Sequence, residues 1–454
     1  MIWMRDFVAR PHRLWLRPVF GWLWGAALLL APVSPAAQAQ QTEDLTAARQ
    51  AMDARQYDVA EKLYRKALVQ APSSATVLTD LALSLQMQGR SADAIRYYSL
   101  ALKQGYVPET YALLAQEECR MGDLDDLKPM LARIFREERK NMRVLSAVAP
   151  CYLDIDEPVK SAIVYQALLA GSKDYPADLA LIQLGKSYIR SGQLFAGKLS
   201  KAPGSEPFLA ALRQASSEGS AGARGAFPEA QKISPYFQPN LSWSDAVDLW
   251  QKHPQDTGLL YLLSVLSAEQ GMNQIELCDQ QFPGSPYLEQ FHADVLADQG
   301  HGDEAAAEYE QLLRDHPDLS DLRYSLGLLR EQREEWPAAA EAFRQQLAAY
   351  PTDERAAAHL SRCMIQMEQY AAVRDFLEPR VRAEHPPQWV NLNLAEAEEK
   401  LGKPEDAVRI LVAAEHEANP DKLVHYRLMH LYSISGRLTD AKREYALFQA
   451  ASRR

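Results

Sequence analysis

Ala305, Ala339, Val373, Ala407 and Ala441 recur at one constant interval, and no other feature so tightly constrains what this chain can fold into. Four positions after each stands a large apolar side chain: Tyr309, Phe343, Leu377, Leu411 and Tyr445. A small residue lets two helices approach closely, and a large one a turn later fills the space beside the contact. Pro317 and Pro351, one interval apart, cannot continue a helix and mark where units end, as does Pro386 further on. Gly300, Gly402 and Gly436 stand where a tight turn needs a residue tolerant of positive φ. Each unit therefore reads as a helix, a turn and a second, antiparallel helix. One unit cannot bury its apolar face alone, so the units must stack into an array.

The pattern resembles the tetratricopeptide repeat (TPR). Leu326-Gly327, Ala339, Phe343 and Pro351 fit one unit of that family, and Leu394-Ala395, Gly402 and Ala407 fit another. Leu428, Tyr432, Gly436, Ala441 and Tyr445 fit a third. The resemblance implies an all-α, right-handed α-solenoid without sheet. For function it implies a binding scaffold, because the family is defined by packing positions and not by a reaction.

The stretch 1–39 belongs to a different class. Arg5, Arg10, Arg13 and Arg17 precede the apolar run Val19–Ala31, and Ala37-Gln38-Ala39 follows. This reads as a secretory signal peptide cut before Gln40. Confined between Pro18 and Pro32, the apolar run is too short to span a bilayer comfortably. Removing the leader takes away four Arg and one Asp, so the formal charge of −11 becomes −14. An acidic protein exported by such a leader is expected to avoid nucleic acid and anionic membrane surfaces, with no membrane insertion after cleavage. It is expected to be periplasmic or secreted.

A first array is expected over residues 43–215. Tyr57, Ala60, Tyr64, Ala67 and Pro72 repeat the second half of a unit, and Leu81-Ala82, Gly89, Ala94, Tyr98 and Ala101 supply the next. Beyond Pro108 the spacing loosens: Leu127 takes the small position, and Ala162, Tyr165, Leu184 and Gly185 suggest degenerate pairs. Residues 216–240, rich in Gly, Ser and Pro, read as a linker. A second array follows over 241–454, with Trp243, Val247 and Trp250 at helical spacing and an atypical helix pair from Leu259 to Phe282.

Catalytic signatures are sparse. The ten His form no His-Glu-x-x-His, and no Cys/His cluster has zinc spacing. Gly219, Gly222 and Gly225 lack the preceding strand that a phosphate-cradling loop needs. The chain is thus expected to be a non-catalytic scaffold with neither cofactor nor metal, binding a protein or peptide. The alternative is an enzyme with its site in the degenerate stretch 108–260.

In the family that the chain resembles, the first helix of each unit lines the concave surface, with its second, sixth and ninth positions facing the groove. These positions are Asp321, Ser325 and Leu328; Arg355, His359 and Arg362; Trp389, Asn393 and Glu396; and Leu423, Arg427 and His430. Arg355, His359, Arg362, Trp389, Asn393, Arg427 and His430 are the candidate partner-binding residues, suited to an acidic segment or a C-terminal carboxylate. The match to the family's carboxylate-clamp members is partial. Asn393 and Arg427 fit, Ala358 and Leu423 stand where Lys is wanted, and Arg362 replaces an Asn. The other reading of the same charges is a solvated face neutralising nearby carboxylates. Cys119, Cys151, Cys278 and Cys363 read as buried thiols. Cys119 and Cys151 fall on neighbouring first helices, where a bridge is geometrically feasible.

Overall fold

The computed structural model describes residues 35–121, 124–319, 321–351, 353–381, 386–415 and 422–452. Residues 1–34 of the expected leader lie outside them. Twenty-four helices and no strand occur among the described residues. The first four pairs are α1 (Pro35–Asp53) with α2 (Tyr57–Gln70), α3 (Ala75–Gln86) with α4 (Ser91–Gln104), α5 (Pro108–Met121) with α6 (Leu124–Glu137), and the split helix α7 (Met142–Val148) and α8 (Cys151–Asp154) with α9 (Pro158–Gly171). Next, α10 (Ala177–Leu199) is followed by α11 (Glu206–Ala223), α12 (Phe227–Ile233), α13 (Trp243–Lys252) and α14 (Thr257–Gln281). Five regular pairs follow. They are α15 (Pro286–Asp298) with α16 (Gly302–Asp315), α17 (Leu322–Gln332) with α18 (Trp336–Ala349), and α19 (Glu354–Gln366) with α20 (Tyr370–Val381). The last two are α21 (Gln388–Lys400) with α22 (Pro404–Glu415), and α23 (Lys422–Ile434) with α24 (Leu438–Ala451). Each pair packs on the next, which makes the chain a solenoid of stacked helices.

The repeat period is written into both core and backbone. Ala305, Ala339, Val373 and Ala407 are fully buried, and so are Tyr309, Phe343, Leu377 and Leu411 or nearly so. Tyr445, in α24, is the exception and is half exposed. Pro317, Pro351 and Pro386 all fall between a second helix and the next first helix. Gly300, Glu334, Glu368, Gly402 and Gly436 follow one another at the same interval and all have φ between +57° and +83°. After each, the next amide donates to the carbonyl five positions back: His301 to Leu296, Glu335 to Arg330, Gln369 to Met364, Lys403 to Glu398 and Arg437 to Tyr432. That bond closes the first helix and aims the chain into the second. Glu334 and Glu368 hold this left-handed geometry without the freedom of glycine, which shows how firmly the stacked array dictates the turn.

The segment expected to be a linker is helical and packed. Helix α11 runs through the Gly/Ser stretch to Ala223, and α12 follows almost at once. The cause is tertiary. Tyr261 of α14 donates its hydroxyl to the Ala223 carbonyl and accepts from the Ala226 amide at 3.3 Å. Its ring lies between Phe208 and Phe227, and Arg224 grips Glu269 through two hydrogen bonds of 2.7 and 2.6 Å. These contacts override a composition that on its own favours a loop. The core accordingly runs without a break from Ala48 to Leu266, across the expected boundary.

A second correction follows from the first. The stretch from Leu259 to Phe282 is a single long helix, α14, with Phe282 as its C-cap, rather than a helix pair. Its antiparallel partner is α10, so α11, α12 and α13 are an insertion inside one helix pair. The two long helices meet backbone to backbone. A Cβ on Gly271 would lie 2.7 Å from Ile189 and 3.1 Å from the Gly185 carbonyl, and one on Gly192 would lie 3.3 Å from the Ser264 carbonyl. Trp243 of α13 does pack in the core, stacking edge-on against Tyr188 and donating to Ser267 at 2.8 Å. Trp250 meets Phe195 in the same edge-on way.

The array curves far enough for α19 to touch α5. Two carboxylates, Glu117 of α5 and Glu354 of α19, are buried there. Burial pushes both carboxyls above their usual range. Arg120 at 3.0 Å works against this for Glu117. Glu354 has Arg380 at 3.8 Å in its favour, with the charges of Asp353 and Glu117 against.

Two predictions follow. Gly271→Ala gains about 1 kcal/mol of helix propensity but loses roughly 1–3 kcal/mol to overpacking. Overpacking wins, so urea unfolding of the variant shows a net loss. Gly197, in the same α10 but with open space around it, is the control. Gly197→Ala keeps only the propensity term and stabilises. The second prediction concerns pH. A carboxyl with a raised folded pKa costs stability as pH climbs from its unfolded value, about 4.3, towards the folded one. Glu354→Gln removes that cost. Its melting temperature should match the parent near pH 4 and exceed it increasingly towards neutrality.

Candidate functional site

First helices α17, α19, α21 and α23 carry the residues singled out in the sequence, and the structure resolves them into cross-helix ladders. Arg355 donates to Asp321 at 2.9 Å and lies 4.7 Å over the Tyr324 ring. Burial disfavours its charge, yet Asp321 and Asp353 hold the guanidinium more firmly protonated than usual. His359 Nδ1 meets Glu331 Oε2 at 2.5 Å, and its ring stacks on Phe343. Arg362 donates to the other oxygen of Glu331 at 2.6 Å. One buried carboxylate of α17 thus collects two bases from α19.

The same arrangement recurs two repeats later. Glu399 stands two periods after Glu331, Arg427 two after His359, and His430 two after Arg362. His430 lies 3.7 Å and Arg427 3.9 Å from Glu399, and Arg427 also donates to Glu396 at 2.5 Å. In the unit between, Asn393 donates to Ser361 at 2.7 Å, and Trp389 is half-buried against the core. The seven candidates therefore form two clusters, one of Arg355, His359 and Arg362 and one of Arg427 and His430, with Asn393 and Trp389 in between.

Sequence reasoning missed the acids. Glu331 and Glu399 sit one turn beyond the stripe of second, sixth and ninth positions, at the twelfth position of their repeat units. Their signal was present as an acid recurring at twice the period, each followed in the next unit by a base at the sixth and ninth positions. The layering is consistent. The Glu331 side chain is 5% exposed against 57% for Arg362, and Glu399 is 16% exposed against 49% for His430. Carboxylates lie beneath, and bases cover them on the solvent side.

Burial raises the Glu331 carboxyl, but hydrogen bonds and charge from His359 and Arg362 outweigh it and hold the group below the usual range. Among the described residues no trio of His, Cys, Asp or Glu is placed to hold a metal, and no helix is long and apolar enough to cross a membrane. The open depressions among the described residues include two of several hundred cubic ångströms. One of about 720 Å³ lies at the turn between α15 and α16, where Arg333 bridges Asp303 and Glu335. The other, about 560 Å³, is lined by Glu137, Lys140 and Arg143 within the degenerate stretch.

The family model described as tetratricopeptide repeat matches residues 45–105 and 292–354. Both stretches are tetratricopeptide repeats. No curated protein matches the chain. Among solved structures, the chain is similar to the APC/C hetero-tetramer Cut9–Hcn1, at 14% identity and a TM-score of 0.32 over 92% of this chain and 96% of that one. It is similar to pilF of Pseudomonas aeruginosa at 15% identity and a TM-score of 0.33, over 51% of this chain and 99% of that one. A tetratricopeptide repeat protein from Parabacteroides merdae matches at 12% identity and a TM-score of 0.29, over 87% and 99% of the two chains. A TPR fold is that of a protein–protein interaction scaffold.

Glu331→Gln tests the larger ladder. A carboxylate whose folded pKa is lowered contributes stability that is complete above the unfolded value, about 4.3, and lost as pH falls through the folded one. Calorimetry should show the variant about 1–3 kcal/mol less stable at neutral pH, with the difference shrinking to nothing in acid.

Proposed function

We propose that this protein is an exported, non-catalytic scaffold that holds an acidic segment of a partner protein along the first-helix face of α17, α19, α21 and α23. The observation that carries this is the layering of the two clusters: bases outward, carboxylates beneath. Each Arg keeps guanidinium donors beyond those engaged by its Glu, and a second carboxylate can be accepted in the planar fork geometry. The internal acid pre-orients the base, which lowers the entropy lost on binding. Two clusters in register, two repeats apart, suit an extended segment with two acidic points, and Trp389 offers an apolar surface between them. A C-terminal carboxylate can supply one of the points. Export rests on the basic start, the short apolar run and Ala37-Gln38-Ala39.

Labelled oligo-glutamate and oligo-lysine peptides of equal length, titrated at low and moderate salt, test the face. Only the acidic peptide should bind, and more weakly as salt rises. Arg362→Ala with Arg427→Ala should each cost about 1.5–3 kcal/mol of binding. Unchanged affinity in the double variant, with helicity intact, removes this face from consideration. Cell fractionation with sequencing of the mature N-terminus checks export, with a start at Gln40 as the expected result.

A further inference from the structure

We infer that Cys119 and Cys151 form a disulfide-capable site that ties helix α5 to helix α8. The two helices pack against each other. Cys119 lies in the last turn of α5, and Cys151 opens α8. The Cys119 thiol interacts directly with that of Cys151 and donates to Asp154 Oδ2 at 3.4 Å, one helical turn beyond Cys151. The Asp154 contact fixes independently which face of α8 Cys119 meets. Helices that pack this way with both cysteines on the facing turns suit the short Cα separation that a disulfide requires. The other two cysteines have different surroundings: Cys278 points at the Asp178 carbonyl, and Cys363 is fully buried in α19.

The pair is asymmetric in access. Cys151 is 3% exposed, whereas Cys119 is only part-buried. A small disulfide such as glutathione disulfide therefore reaches Cys119 first. The Cys119 thiolate attacks one sulfur of the reagent, releasing one thiolate and leaving a mixed disulfide. Cys151 then attacks the Cys119 sulfur and expels the second thiolate. The two protein thiols lose two electrons and two protons, and the reagent is reduced to two thiols. Contact with Cys151, burial and the Asp154 charge all raise the Cys119 thiol. The dithiol form thus gains nothing from a stabilised thiolate. Low-pKa thiolates make a disulfide oxidising, so this bond should be of the reduction-resistant, structural kind. The enclosed loop holds α6 and α7, so the bond would fasten the third and fourth helix pairs together. Neither the acidic-segment reading nor export is needed for the inference.

The test uses the full chain incubated with glutathione disulfide, then denatured, alkylated and mapped by non-reducing peptide mass spectrometry. Two of the four thiols should disappear in the monomer, with a linked pair of peptides carrying Cys119 and Cys151. The melting temperature should rise on oxidation and fall back with reductant. Cys151→Ser should stop at the glutathione adduct on Cys119, and a Cys278→Ser, Cys363→Ser double variant should oxidise like the parent. Four free thiols, a persistent adduct on Cys119 in the parent, or a bond involving Cys278 or Cys363 would each overturn the assignment.

Discussion

Everything in this molecule depends on how closely two antiparallel helices can approach before their side chains collide. In the regular pairs the approach is set by Ala or Val at one position and a large plug a turn later, as with Ala339 and Phe343, both fully buried. In the pair of α10 and α14 it is set by removing side chains altogether, at Gly185, Gly192 and Gly271, with Ser264 and Ser267 alongside. Close approach without a plug lets two long helices lie in contact over much of their length. It also frees the chain between them, so that α11, α12 and α13 can be inserted without disturbing the stack. The hydrophobic return is area buried per helix face, and both solutions reach it by different routes.

The electrostatics of the first-helix face follow from the same stacking. Once consecutive first helices are parallel neighbours, a carboxylate near the end of one lies beside the middle of the next. A carboxylate at that depth loses hydration, and ionisation survives only if bases supply hydrogen bonds and charge. Glu331 shows the balance tipping toward the ionised form, because His359 and Arg362 both reach it. Glu354 shows it tipping the other way, because Arg380 is distant and Glu117 adds like charge. Two buried glutamates of one array thus carry opposite shifts, because Glu354 meets the heavier burial penalty and has the weaker partners to offset it.

The regular half was legible because each of its rules is local. A small residue, its plug, a turn residue and a proline lie within one unit, and the period repeats them until chance is no longer an explanation. The turns marked by Gly300, Gly402 and Gly436 could be placed, whereas those at Glu334 and Glu368 carry no glycine to announce them. The middle was not legible because its decisive contacts are distant in sequence. Composition marked Gly219, Gly222 and Gly225 as loop, yet Tyr261 and Glu269, more than a whole repeat further on, hold that segment as the end of a helix and its turn. Likewise, the basic stripe could be read from one helix at a time, whereas the acids beneath it belong to the preceding helix. Reading a solenoid for function therefore requires the sequence to be compared with itself one period away, position against position.

A solenoid stabilised only by neighbours would transmit nothing beyond the adjacent repeat. The contact between α5 and α19 departs from that rule, since it joins the third helix pair to the eighth. Glu354, at the first turn of α19, directly precedes Arg355, whose guanidinium is held between Asp321 and the Tyr324 ring. Cys119, two positions from Glu117, faces away toward α8 on the other side of the same junction. The first-helix face, the buried carboxylates and the cysteine pair are therefore carried by helices that meet at this one junction. Thermodynamic linkage then sets the sign of any coupling: whatever favours a particular seating of α5 on α19 is itself favoured by a ligand that prefers that seating, and by the same factor.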